Sequence, residues 1–269
     1  ETLYSVHDVD RRSSLIFFTV LFVLVILLIG GKQGARSLIS LLGSIFVIVY
    51  ILLPSLLSGY PPVLTSVVLA SLILTIAILT THGFNRPAFI ALFGTITSVG
   101  LTGILAYLGV TLSALSGFAV DEAVYLNFNN PGLDFQGLLL GGIIIGILGV
   151  LDDVSITQTA VVSELFHSEP EASRERIYKK ALRVGREHVG ALVNTLALAY
   201  TGASLPLLLL FTATESSVGL TFNQEIFATE IIRTLIGSIG LILTVPITTL
   251  LAVYFLKGYK GHIHHGHSH

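Results

Sequence analysis

Residues Phe135 to Leu165 read FQGLLLGGIIIGILGVLDDVSITQTAVVSEL, an apolar run that ends in two adjacent carboxylates, Asp152 and Asp153, and then turns polar. From Phe135 to Leu151 a helix would be about 25 Å long at about 1.5 Å per residue, slightly short of the ~30 Å hydrocarbon layer of a bilayer. Carried on to Leu165 it would reach about 46 Å. A straight span cannot use all of that length. Either the helix projects beyond the membrane, or it breaks near Gly149 to Asp153 and its second half lines a cavity. The carboxylates give the second reading its functional interest. An Asp at mid-bilayer costs roughly 2.5–3.5 kcal/mol on insertion scales, so a pair there needs water, a cation, protons or basic partners.

The rest of the chain has the same character. Of 269 residues 53% are hydrophobic and only 11% charged, with a mean hydropathy of +0.87. Apolar runs fall at 14–31, 35–57, 62–81, 88–112, 135–151, 189–212 and 231–256. These predict an all-α polytopic transmembrane bundle of about seven spans. Its division is an external juxtamembrane segment at 1–13, a transmembrane domain at 14–257 and a His-rich tail at 258–269. The net charge of −2 offers no basic field for nucleic acid, and the absence of cysteine excludes disulfides and thiolate sites. Residue 1 is Glu and no Met occurs, so an upstream segment is expected.

Loop charge sets the expected orientation. Lys32 and Arg36, Arg86, the cluster from Arg174 to Arg186, and Lys257 and Lys260 fall in alternate loops. The intervening loops carry Asp121, Glu122, Asp134 and Glu215 instead. The positive-inside rule then predicts an external N-terminus and a cytoplasmic C-terminus in a plasma (inner) membrane. Arg11 and Arg12 dissent, as they would if a translocated domain preceded them.

Polar residues within the spans are the candidate site. Asp153, Asp152 and Thr157 lie on the fifth run, and His188 and Asn194 on or next to the sixth, which also holds Tyr200, Thr201, Ser204 and Pro206. Polar groups on neighbouring helices find one another in a bundle, so these five predict an ion or substrate site between the two spans. Glu230 and Arg233 are spaced for an i,i+3 pair at the external boundary. The segment 168–187 mixes Glu169, Glu171, Glu175 and Glu187 with six basic residues and reads as a solvated amphipathic helix, suited to topology, anionic lipid or a cytoplasmic partner. In the tail, His262, His264, His265, His267 and His269 form a tract that can bind divalent metal.

The stretches Gly149-Val-Leu-Asp-Asp-Val-Ser-Ile-Thr-Gln-Thr, Gly185-Arg-Glu-His and Asn194-Thr-Leu-Ala-Leu-Ala-Tyr-Thr-Gly-Ala-Ser-Leu-Pro-Leu resemble the signature regions of the YibE/F family of multispan bacterial membrane proteins. The resemblance covers nearly the whole chain. It implies a permease-like protein, an extracytoplasmic domain ahead of the first span, and Asp153 as the recurrent carboxylate. It implies no particular substrate.

A transporter is therefore the first expectation, with the bilayer and an ion or small solute as partners, room for a homo-oligomer, and no cofactor. Enzymatic function is not expected. An aspartic protease dyad needs two carboxylates about 3 Å apart on different elements, and neighbouring aspartates diverge. A non-catalytic membrane subunit or receptor docking a cytoplasmic partner is the alternative.

Overall fold

A computed structural model describes residues 10–213 and 218–259, and within them the chain is helical with no strand. In chain order the helices are α1 (Arg12–Val47), a π-helical turn (Ile48–Leu52), α2 (Leu53–Leu57), α3 (Pro62–His82), α4 (Arg86–Leu112), α5 (Asp121–Asn129), α6 (Phe135–Ser168), α7 (Arg174–Ala203), α8 (Leu205–Ala213), α9 (Val218–Phe222) and α10 (Glu225–Leu256). Short polar side chains start several of them. Asn85 Oδ1 accepts the Ala88 N–H at 2.9 Å, Asp134 Oδ1 that of Gly137 at 2.9 Å, and Ser173 Oγ that of Arg176 at 3.2 Å, each satisfying a donor that a helix N-terminus leaves open.

Among the described residues five helices are long and apolar enough to cross a membrane: Arg12–Leu57, Pro62–His82, Arg86–Leu112, Phe135–Ser168 and Glu225–Leu256. The expected count of seven is not confirmed. The first two apolar runs fall within one continuous helical stretch, which bends at Gly31, where φ is +50° and ψ −131°. The bend is sharp enough that a Cβ on Gly34 would stand 2.1 Å from the Ile26 carbonyl oxygen. In a straight helix those residues would be about 12 Å apart along the axis. The sixth run is divided between α7, which is amphipathic rather than apolar throughout, and α8.

The core is made by α4, α6 and α10 in mutual contact, with α3 and α7 packed on its sides and α1 against α3. Small residues and hydroxyls dominate these seams. A Cβ on Gly240 of α10 would lie 2.3 Å from Thr102 Oγ1 of α4. Close approach of this kind is how helices associate where lipid removes the hydrophobic drive. Buried Thr95, Ser98, Thr102, Thr244 and Thr249 donate to carbonyls four residues earlier in their own helices, so none brings an open donor into the core.

The length of α6 is resolved by projection. Pro62 packs at the position of Gly137 and Ser66 at that of Gly141, so α3 and α6 run parallel and in step. Carried along, the step places His82, the last residue of α3, level with Thr157. The 21 residues of α3 span about 31 Å, which matches the hydrocarbon thickness. Residues 158–168 of α6 therefore extend about 16 Å further. The expected break near Gly149 to Asp153 is absent: α6 is continuous from Phe135 to Ser168. The projecting end has its own apolar core, in which Val162 and Phe166 pack with Ile90, Ile177, Ala181, Ala252 and Leu256.

Candidate functional site

α6 and α7 form an antiparallel pair joined by a short turn, with Gln158 Nε2 donating to the Ala181 carbonyl at 2.8 Å. Gly185 permits that approach, since a Cβ there would stand 2.8 Å from Gln158 Oε1. Six residues earlier on α6 is Asp152, and seven later on α7 is His188, so the two share a depth about 9 Å inward along the bundle. Both are half-buried, and each carries a polar atom shielded from solvent without a hydrogen-bond partner: Asp152 Oδ1 and His188 Nε2. Buried polar groups in folded proteins are nearly always paired, which marks these two atoms.

Asp153 takes the other direction and is exposed, within electrostatic reach of His82 and Asp152. Thr157 is half-buried one turn further along α6. Asn194 is exposed and lies about 9 Å beyond His188 along α7, so the structure does not bring it to Asp152. Among the described residues no group of three His, Asp or Glu side chains is placed to hold a metal. The His tract at 262–269 lies outside the described residues.

A second polar cluster sits near the opposite face, where the sixth run is interrupted. Ser204 leaves the helix with φ −93° and ψ 15°, and α8 begins immediately with Leu205 and Pro206. Pro206 has no N–H to donate, so Gly202 loses its α-helical hydrogen-bond donor. Across the gap, Ser204 Oγ donates to Glu230 Oε2 at 3.2 Å, and Arg233 Nη1 donates to Glu230 Oε1 at 2.8 Å. The expected i,i+3 pair forms, and it reaches a second helix through Ser204. Arg233 Nε is buried without a partner. A cavity of 220 Å³ opens here, lined by Tyr200, Thr201, Ser204, Leu208, Glu230 and Thr234 among others. Tyr200 reaches in over Gly146, where a Cβ would stand 3.3 Å from its hydroxyl.

A family model described as YibE/F-like protein matches residues 18–258. The chain belongs to this family. No curated protein and no solved structure matches it. The matched region of this YibE/F-like chain contains Asp152, His188 and the cluster around Glu230, and stops short of the His tract.

Reading the residues one by one singles out Asp152 and His188 but does not join Ser204, Glu230 and Arg233 into a cluster. Its signal was present in two pieces, the Glu230/Arg233 spacing and Ser204 two residues before Pro206. Only the packing of α7 on α10 joins them. A further carboxylate, Glu225, anchors the α4–α5 connection: it accepts the backbone N–H groups of Ser116 at 2.7 Å and Gly117 at 2.8 Å. Gly117 has φ +88°, and a Cβ there would stand 2.3 Å from the Phe135 carbonyl oxygen.

Proposed function

We propose that this YibE/F-like membrane protein is a permease of the plasma membrane, N-terminus outside and C-terminus in the cytoplasm, moving an ion or small solute by a route that uses Asp152 and Asp153. The observation that carries this reading is that Asp152 on α6 and His188 on α7 each hold a buried, unpartnered polar atom at one depth of a bundle whose α7 and α10 also join Ser204, Tyr200 and Glu230 around a cavity. From His188 to Tyr200 is 12 residues of α7, about 18 Å. Intramembrane ionisable groups with unpaired buried atoms mark ion or proton pathways, and interrupted helices are a recurring device of secondary transporters. Carboxylates on the inner side favour a cation or proton as the coupled species.

The reading is non-enzymatic. Asp152 turns one oxygen into the bundle while Asp153 is exposed, a divergence that suits a relay or a binding ligand better than a shared-proton dyad. The alternative, a non-catalytic subunit or receptor, is favoured by one feature: the four-helix end that projects from the layer and presents a basic surface to a cytoplasmic partner.

Flux in liposomes holding the purified protein tests the proposal, with protons, alkali ions and divalent metals screened and Asp152→Asn and Asp153→Asn run beside wild type. Wild-type flux abolished by either change supports a transport route through the pair. Wild-type flux that survives both changes removes the aspartates from the route. A silent protein that co-purifies with a stable partner favours the subunit reading.

A further inference from the structure

The first three turns of α7 belong to the projecting end of the bundle and carry a cleft of 320 Å³ lined by Ser173, Glu175, Arg176, Lys179, Lys180 and Arg183. Four cations and one carboxylate face it. Part of that charge is already matched: Lys179 Nζ donates to Glu175 Oε1 at 2.5 Å, and Lys180 and Arg176 share Glu169 at the α6–α7 turn, the latter at 3.1 Å. Arg183 has no carboxylate partner among the described residues, and neither has Arg186 one turn on.

Depth decides what such a cleft meets. The Gln158–Ala181 hydrogen bond puts Arg183 close to the level of Thr157, which is also the level of His82 at the end of α3. That level is the edge of the hydrocarbon layer set by α3. The next residue, Val184, is 47% exposed and turns an apolar side chain outward at that level. Arg176 lies seven residues the other way, about 10 Å into the aqueous side. The cleft thus opens at headgroup depth and runs outward, with its unmatched guanidinium at the lipid end. Guanidinium groups suit phosphate because their planar fork donates two parallel hydrogen bonds.

We propose that this cleft binds the phosphate headgroup of an anionic phospholipid in the adjoining leaflet, with Arg183 as its principal donor, Arg176 as a secondary one shared with Glu169, and Glu175 as a competing internal anion. Basic residues at a membrane surface each contribute roughly a fivefold factor to the binding of anionic lipid, and the effect fades within about 8 Å at physiological salt. A cation at Arg183 is within that range of a headgroup; a soluble acidic partner would have no need of a cation placed at the hydrocarbon edge.

The test uses the full chain in nanodiscs of phosphatidylcholine with or without phosphatidylglycerol, and native mass spectrometry to read the lipid retained. Selective retention of phosphatidylglycerol is expected, weakened about fivefold or more in Arg176→Gln/Arg183→Gln, chiefly through the loss of Arg183. Glu175→Gln is expected to strengthen retention, a gain that a misfolded protein would not produce. Unchanged thermal unfolding of both variants in phosphatidylcholine would show that they are folded. Equal retention of the two lipids, or retention untouched by the double substitution, would overturn the proposal. So would displacement of the lipid by soluble glycerol phosphate, which would assign the cleft to free phosphate esters. Binding of an acidic peptide without any preference for lipid charge would overturn it in favour of a protein partner.

Discussion

Ser155 of α6 and Thr248 of α10 meet with their hydroxyl oxygens 3.1 Å apart, fully buried, at the point where Gly94 of α4 closes on the same threonine. A Cβ on Gly94 would stand 2.7 Å from Thr248 Oγ1 and 3.2 Å from both Cβ and Cγ2 of that residue. Three helices are thus in register through one hydroxyl pair and one missing methyl group. Gly94→Ala is expected to destabilise the bundle by about 1–3 kcal/mol, the usual penalty for overfilling a packed core. Thr248→Ala should restore part of that loss in the double variant. Thermal unfolding in detergent measures both; a Gly94→Ala protein as stable as wild type would show that the seam can open.

The Glu230–Arg233 pair is a second such junction, and here removal of one partner should cost more than removal of both. Both side chains are more than two-thirds buried. Glu230→Ala strands the guanidinium and is expected to cost about 1.5–3 kcal/mol, in the range of hydrogen bonds to charged groups. The Glu230→Ala/Arg233→Leu double variant should lie closer to wild type than the sum of the single effects. A double-mutant cycle on unfolding midpoints reads the coupling, and strict additivity would sever the link between the two residues.

Asp152 is expected to trade stability for function. Its buried Oδ1 lacks a partner, and a buried unsatisfied acceptor costs about 1–3 kcal/mol. Asp152→Asn should therefore leave thermal stability unchanged or raised while abolishing flux. A large loss of stability instead would identify the carboxylate as a structural element.

Outside the layer, the α6–α7 turn has a defined pH response. The hydrogen bond from Lys180, with the charges of Arg176 and Lys180, holds the Glu169 carboxyl below the ordinary glutamate value of 4.5. The sign follows: a depressed carboxylate stabilises fully above its ordinary value and loses that contribution as the pH falls through the folded value. Glu175, hydrogen-bonded by Lys179, shifts in the same direction. Hydrogen exchange of residues 168–176 is expected to rise as the pH drops below the ordinary glutamate range, after correction for intrinsic rates. Lys180→Gln should shift the onset upward, and an onset unmoved by that change would remove Lys180 from the effect.

The absence of cysteine gives a direct check of orientation. Ser116, bonded to Glu225 at one end of the bundle, and Ser173, capping α7 at the other, are both exposed. Ser116→Cys is expected to label with an impermeant maleimide on intact cells, and Ser173→Cys only after permeabilisation. The reverse pattern would invert the proposed topology.

The sequence by itself determined the class of this protein. Apolar run length and the scarcity of charge are properties of composition along the chain, and they require membrane helices whatever the packing. It also placed Asp152 and His188 among the residues of interest, because a carboxylate or imidazole in such a run is conspicuous without knowledge of its neighbours. The tertiary structure decided where the helices end and which polar groups meet. The structure keeps α6 continuous and in step with the shorter α3, where its length alone left projection and breakage both open. The interruption falls at Ser204, where Pro206 leaves the Gly202 carbonyl without its helical donor, and the Ser204 hydroxyl donates to Glu230 of another helix. Sequence spacing reports faces on one helix; it carries no record of the rotation and depth at which two helices pack, and those set the distance between Ser204 and Glu230, or between Arg183 and the edge of the layer.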